Sequence, residues 1–273
     1  MTVHAANAAI ERLVLITRPE PGVALLVLNR PGARNALSRA MMSAISDAVA
    51  LLGADPSVAA IVLAANGSAF CAGHDLKELT AHRDDSDGGR AFYAETMTQC
   101  AALMQSIVAC EKPVIAAVEG IATAAGCQLV ATADLAVASE TATFATPGVN
   151  IGLFCSTPMV ALSRNVPRKR AMELLLLGET LSAAEAAEYG LLNRAVAPDR
   201  VRASALEFAR TIATKSKTTI ATGKSAFYVQ LEQPLNQAYA YAAEVMVHNM
   251  MSADAKEGIG AFIDKRQPKW SGC

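Results

Sequence analysis

An α/β fold with mainly parallel, buried strands is predicted by three features of this sequence. Short apolar runs of strand length recur, helical patterns alternate with them, and each buried run ends in a loop of small residues. Residues 13–18 (LVLITR) and 23–31 (VALLVLNRP) read as strands. Pro19, Glu20, Pro21 and Gly22 between them are turn chemistry, so a hairpin is expected. Ser38 is placed to cap a helix whose apolar residues, Met41, Met42, Ile45, Val49 and Leu52, share one face. Residues 58–65 (VAAIVLAA), Val114–Val118 and Leu135–Ser139 then read as fully buried strands. Small-residue loops at the carboxyl ends of such strands are where α/β proteins usually place ligands. Residues 84–89, rich in Asp and Gly, read as a solvated loop.

Beyond about residue 157 helical patterns dominate, over 157–165, 167–177, 182–189 and nearly all of 198–265. Ser182 and Glu185 make a capping-box pair. Met246, Met250, Met251, Ile259 and Phe262 gather on the terminal helices. They read first as core, with a subunit interface as the alternative.

Composition narrows the function. The chain has 273 residues, 52% of them hydrophobic, and a net charge of −1. A sizeable core follows, and no broad basic field exists, which argues against nucleic-acid or membrane-surface binding. No uninterrupted apolar stretch is long enough for membrane insertion. The six cysteines form no C-x-x-C pair and read as reduced, mostly buried thiols; no metal site is expected. The first residues, MTVHAANAAIER, lack the basic start and apolar run of a secretory signal. A cytoplasmic location is the expectation.

Two stretches carry chemistry. Residues 67–79 (GSAFCAGHDLKEL) and 122–139 (ATAAGCQLVATADLAVAS) each follow a buried strand with a small-residue turn and a helix start. Small residues permit close backbone approach, and a helix start has free N–H groups. Two such turns can aim two amides at one point, as an oxyanion hole does.

These stretches belong to an ordered set. Leu28-Asn29-Arg30-Pro31 and Arg34-Asn35-Ala36-Leu37 lie upstream. Phe70-Cys71-Ala72-Gly73-His74-Asp75-Leu76 follows, then Lys112-Pro113-Val114 and Ala125-Gly126-Cys127-Gln128-Leu129. Phe144-Ala145-Thr146-Pro147 and Ala184-Glu185-Ala186 through Leu191 complete it. Over residues 12 to 268 this order resembles the crotonase superfamily, the enoyl-CoA hydratase/isomerase family. Residues 144–157 are most similar to its enoyl-CoA hydratase domain-containing protein 3 subgroup. The resemblance implies a crotonase-like spiral of β-β-α repeats with a C-terminal helical trimerisation subdomain. The boundaries it suggests are 1–197 for the thioester-binding core and 198–273 for the oligomerisation subdomain. It implies a coenzyme A thioester as substrate or ligand, no covalently bound cofactor, and a homotrimer or dimer of trimers. By motif position the oxyanion amides are those of Ala72 and Ala125. Arg30, Ala33, Arg34, Ala36, His74, Asp75 and Leu76 are implied to line the CoA chain. Phe262 and Lys265 are similar to residues that reach a neighbouring subunit's CoA.

One departure decides the mechanism. Hydratases of this family carry two glutamates at positions that here read Gln128 and Gly148. An amide exchanges no proton near neutral pH, and glycine has no side chain, so efficient hydration is not expected. Some family isomerases place an acid further along, where this chain has Ser156. Cys155 reads as a packed thiol and His74 as a turn or CoA-loop residue, with nucleophile and proton shuttle as the respective alternatives. Asp75 reads as a helix cap, Asp134 as a structural hydrogen bond, and Glu78, His82 and Glu95 as solvated groups around a variable acyl-pocket segment, 79–105. Three functions stay open: a non-hydratase acyl-CoA enzyme such as a decarboxylase, an acyl-CoA-binding or regulatory protein, and a weak enoyl-CoA hydratase of fatty-acid metabolism.

Overall fold

The computed structural model describes residues 13–272; the amino-terminal reading of residues 1–12 lies outside them. The expected hairpin forms from β1 (Val14–Glu20) and β2 (Val23–Leu28), paired antiparallel. The Ser38 hydroxyl accepts the Met41 amide at 3.2 Å and starts α1 (Arg39–Ala54), whose buried face includes Met41, Met42, Ile45, Val49 and Leu52.

A winding pattern follows. β3 (Ala60–Ala65) leads to β4 (Ala69–Cys71), the short α2 (Leu76–Thr80) and the long α3 (Arg90–Ala109). β5 (Val114–Val118) leads to β6 (Ile121–Thr123) and α4 (Ala125–Thr132), and β7 (Leu135–Ser139) leads to β8 (Thr143–Ala145). Each turn of this spiral gives its first strand to one sheet and its second to another. The larger sheet runs β1-β2-β3-β5-β7-β10 and is parallel from β2 onward. The smaller runs β4-β6-β8-β9. α5 (Pro158–Asn165), α6 (Arg168–Leu177), β9 (Thr180–Ser182), α7 (Ala183–Glu188) and β10 (Arg194–Val196) precede the terminal helices. The Ser182–Glu185 capping box forms as expected.

The strands of the larger sheet are covered on both faces, which is why they read as continuous apolar runs. Ile61, Leu63, Val114, Ala116 and Val118 face the main core. Val23, Val62, Ile115, Ala117 and Val137 face Val201, Ala205 and Ala209 of α8 (Val201–Ala213), which lies across β3, β5 and β7.

α9 (Lys217–Leu231), α10 (Leu235–Met250) and α11 (Ala253–Ile263) follow. α9 is anchored through Asp134, which fills the expected structural role. Its carboxylate accepts the Val114 amide at 2.7 Å, pairs with the nearly buried Lys224 at 2.7 Å and accepts the Tyr228 hydroxyl at 2.9 Å. The core reading of the terminal methionine cluster is corrected. Met246, Met250 and Ile259 are about half exposed, while Met251 and Phe262 are 82% and 85% exposed. Among the described residues nothing packs over this apolar face. Among the described residues no helix is long and apolar enough to cross a membrane.

Candidate functional site

The site forms where the turn after β4 meets the start of α4. The two backbones touch at their glycines. A Cβ on Gly126 would stand 2.0 Å from the Cys71 carbonyl oxygen. One on Gly73 would stand 2.9 Å from the Ala124 Cβ and 3.4 Å from the Ala125 nitrogen. Ala124 itself has φ 50° and ψ −118°, a conformation that L residues rarely adopt and that costs on the order of 1–3 kcal/mol.

The amides sort clearly. The Ala72 N–H donates to the Arg34 carbonyl at 3.0 Å, so the expectation that it is an oxyanion donor is corrected. Two residues later the turn is pinned on both sides of His74. Leu37 donates its amide to the Gly73 carbonyl at 2.7 Å, and the Asp75 amide donates to the Leu37 carbonyl at 3.2 Å. That parallel bridge leaves the His74 amide facing away from residue 37. Among the described residues no acceptor is found for the His74 amide or for the Ala125 amide. The sequence pattern leads to this turn but cannot sort its amides, because only the Leu37 bridge shows which of them are occupied.

Neither glutamate position holds an acid. Gln128 is buried on α4, and its Oε1 lies 3.8 Å from the Cys100 Sγ of α3 as the acceptor of a weak thiol contact. Gly148 lies in a one-and-a-half-turn 3-10 segment begun by Pro147. A Cβ there would meet the Leu153 carbonyl at 2.8 Å and the Cys155 Sγ at 3.0 Å. Even the first carbon of a side chain at this position is therefore crowded. Burial raises the Cys155 thiol above its ordinary range, against a lowering contact from the Gly148 backbone. Burial and Cys155 together push Cys127 up to about 12. Both shifts favour the neutral thiol, which suits the packed-thiol reading. Ser156 is exposed, with its hydroxyl and amide turned to the Phe154 carbonyl.

The remaining expected residues divide. Arg30 pairs with Asp75 at 2.8 Å, and Asp75 also accepts the Lys77 and Glu78 amides as the cap of α2. Burial opposes ionisation of Asp75, but the Arg30 bond and the two amides outweigh it and hold the carboxyl below its usual range. Arg34 is exposed in a left-handed turn, Ala33 is half-buried and Ala36 is buried beside it. Leu76 is 50% exposed at the start of α2. Phe262 and Lys265, at and beyond the end of α11, are open to solvent. Glu78 accepts the Arg39 amide at 2.9 Å, Glu95 pairs with Arg39 at 2.9 Å, and His82 stacks on Phe92. A cleft of about 660 Å³ between α1 and α3 includes Arg39, Glu95 and Gln99 but no residue of either turn.

Sequence reasoning gave Asn35 no role of its own. It is fully buried with φ 53°, accepts the Arg30 amide at 2.8 Å, and donates to the Asn66 and Ala69 carbonyls at 2.9 and 2.8 Å. It thereby fixes the Arg30–Ala36 loop onto β4. The signal was available: asparagine is among the few residues that tolerate a left-handed conformation.

Comparison with known proteins fits this geometry. The family model described as enoyl-CoA hydratase/isomerase matches residues 18–273. The mouse protein named enoyl-CoA hydratase domain-containing protein 3, mitochondrial, is 44% identical over 266 residues, covering 97% of this chain and 87% of that protein. The crystal structure of a Mycobacterium smegmatis enoyl-CoA hydratase superposes with a TM-score of 0.90 at 50% identity, covering 94% and 98% of the two chains. That of human enoyl-CoA hydratase domain-containing protein 3 superposes with 0.89 at 44% identity, covering 95% and 100%. The expected cytoplasmic location is corrected by these relatives, since the mouse, rat and human proteins are all named mitochondrial. On its matched length, its fold and its ordered motifs, the chain belongs to the enoyl-CoA hydratase/isomerase family, the crotonase superfamily, in the subgroup of enoyl-CoA hydratase domain-containing protein 3.

Proposed function

We propose that this protein binds acyl-CoA thioesters, holds the thioester oxygen between the amides of His74 and Ala125, and is not an efficient hydratase. The observation that carries this reading is the pairing of two unoccupied amides on touching turns with Gln128 and Gly148 at the acid–base positions. Backbone donors on packed turns are preorganised, and one such donor is worth about 3 kcal/mol to a developing oxyanion. They would stabilise an enolate formed by decarboxylation without a protein base. They would equally hold a thioester on which no chemistry follows.

The exposed Arg34, the Arg30–Asp75 pair, Ala33, Ala36 and Leu76 are the CoA contacts of this reading. Phe262 and Lys265 serve a neighbouring copy in a trimer or a dimer of trimers. Titration with butyryl-CoA by calorimetry, beside a crotonyl-CoA hydration assay at high protein concentration, tests the proposal. Saturable binding with hydration at least about a hundredfold below that of a two-glutamate family member is expected. Hydration at the ordinary rate, or no binding of any acyl-CoA, overturns it.

A further inference from the structure

Coenzyme A is neutral along its pantetheine arm and anionic at its nucleotide end, so the cations Arg30 and Arg34 belong with its phosphates. Arg34 is exposed, and Arg30 is shared with Asp75. The loop that carries them is strained, because Arg34 and Asn35 are successive left-handed residues at φ 50° and 53°. Strained backbone persists only where its surroundings over-determine it. The determinant is the Asn35 carboxamide, which accepts the Arg30 amide and donates to the Asn66 and Ala69 carbonyls. Pro31 adds a contact, since a Cβ on Gly67 would stand 2.7 Å from the Pro31 Cβ. The loop is therefore placed only as well as residues 65–69 are.

What holds residues 65–69 comes from another part of the chain. Arg202, in the first turn of α8, donates from Nη2 to the Ala65 carbonyl at 2.8 Å and to the Glu119 carboxylate at 2.9 Å. More loosely, at 3.5 Å, it reaches the Asn66 side-chain oxygen. Asn66 in turn donates to the Asn29 side chain at 3.0 Å. One guanidinium thus ties together the chain just past β2, β3 and β5. Of two successive carbonyls, that of Ala65 is held by α8 and that of Asn66 by the loop. The Arg202 Nε is shielded from solvent with no partner among the described residues. A stranded donor is unfavourable, so stability alone does not explain this arginine.

We propose that Arg202 is a positioning residue for coenzyme A: through the Ala65–Asn66 segment and Asn35 it fixes the loop that presents Arg30 and Arg34 to the ligand's phosphates. The inference rests on the thioester site and adds to it a residue from α8. Arg202 needs no contact of its own with the ligand. Its loss weakens the grip on the nucleotide end and spares the acyl and pantetheine end, which the two turns hold.

The test is calorimetric titration of the full chain and of Arg202→Met with butyryl-CoA, and with butyryl-pantetheine by competition against it. In Arg202→Met, butyryl-CoA is expected to bind about tenfold more weakly, with butyryl-pantetheine within about twofold of its affinity for the unsubstituted protein. A role in stability alone lowers the urea midpoint and leaves both affinities of the folded protein unmoved. Damage to the whole site weakens both ligands alike. Either result overturns the inference while leaving the thioester site standing. If Arg202→Met does not fold, Glu119→Gln, which removes the charge that steers the guanidinium and keeps its shape, carries the same comparison. A loss of about threefold for butyryl-CoA alone is then expected, and the same two results overturn the inference. Failure of the unsubstituted protein to bind either ligand removes the site and this inference together.

Discussion

At position 148 the Leu153 carbonyl and the Cys155 thiol crowd the place of a Cβ. Restoring the two family glutamates is therefore unequal work. Gln128→Glu keeps its volume and places a carboxyl beside the Cys100 thiol in a buried pocket. Gly148→Glu must displace backbone, and overpacking of that kind typically costs about 1–3 kcal/mol. The expected outcome is a lowered urea midpoint for Gly148→Glu and no hydratase-level turnover in the double variant; normal stability with restored turnover would refute it. His74 gives a second prediction. Burial holds its folded pKa below the unfolded value of about 6.5. Between those two values the unfolded chain carries a proton that the folded chain does not, so acid favours unfolding. This contribution is full above about pH 6.5 and is lost as the pH falls toward the folded value. Urea midpoints from pH 7.5 to 5 should fall less steeply in His74→Leu than in the unsubstituted protein.

Among the elements, α9 depends most on one side chain. Lys224 is nearly buried, and among the described residues it bonds Asp134 and the Ile107 and Lys112 carbonyls. Removing a partner from a buried pair strands the other charge, typically at about 3–5 kcal/mol. Asp134→Ala is expected to lose stability of that order in urea denaturation. Tyr228 supplies a local check. Burial first, then the Asp134 charge and hydrogen bond, raise its phenol above the ordinary range. Its ultraviolet titration should move downward in the variant, and an unmoved titration would show that the pair does not form. Elements of this kind were legible because their signals are local: the Ser38 cap, the Ser182–Glu185 box and the apolar runs of β3, β5 and β7 all appear where their residues predict. The smaller sheet was not legible. β4, β6, β8 and β9 have three residues each, too short for any period to show, and they pair only with one another. Because β4 and β6 deliver the two turns, the sequence pointed to the site's neighbourhood but not to the amide at His74. α3 was equally unreadable, since its buried Thr96, Cys100, Leu103, Met104 and Ile107 begin only in its second turn, after a first turn whose Phe92 and Tyr93 are not buried.

For the whole molecule, the exposed apolar residues of α10 and α11 predict self-association. Leu235, Tyr239, Met251, Phe262 and Ile263 are each more than 70% exposed, beyond what scattered surface residues explain. Sedimentation should show a trimer or a multiple of it, and the paired change Met251→Glu with Phe262→Glu should shift the chain toward smaller species. A monomer at micromolar concentration would remove the proposed role of Phe262 and Lys265 at a neighbour's CoA. The helix α8 differs from those that follow it, because its buried face covers the larger sheet. Anyone trimming this chain to isolate a minimal ligand-binding unit must therefore leave α8 attached. A fragment ending before Val201 would bare Val23, Val62, Ile115 and Val137 to water and precipitate, whereas one ending just after Ala213 would keep that greasy underside covered.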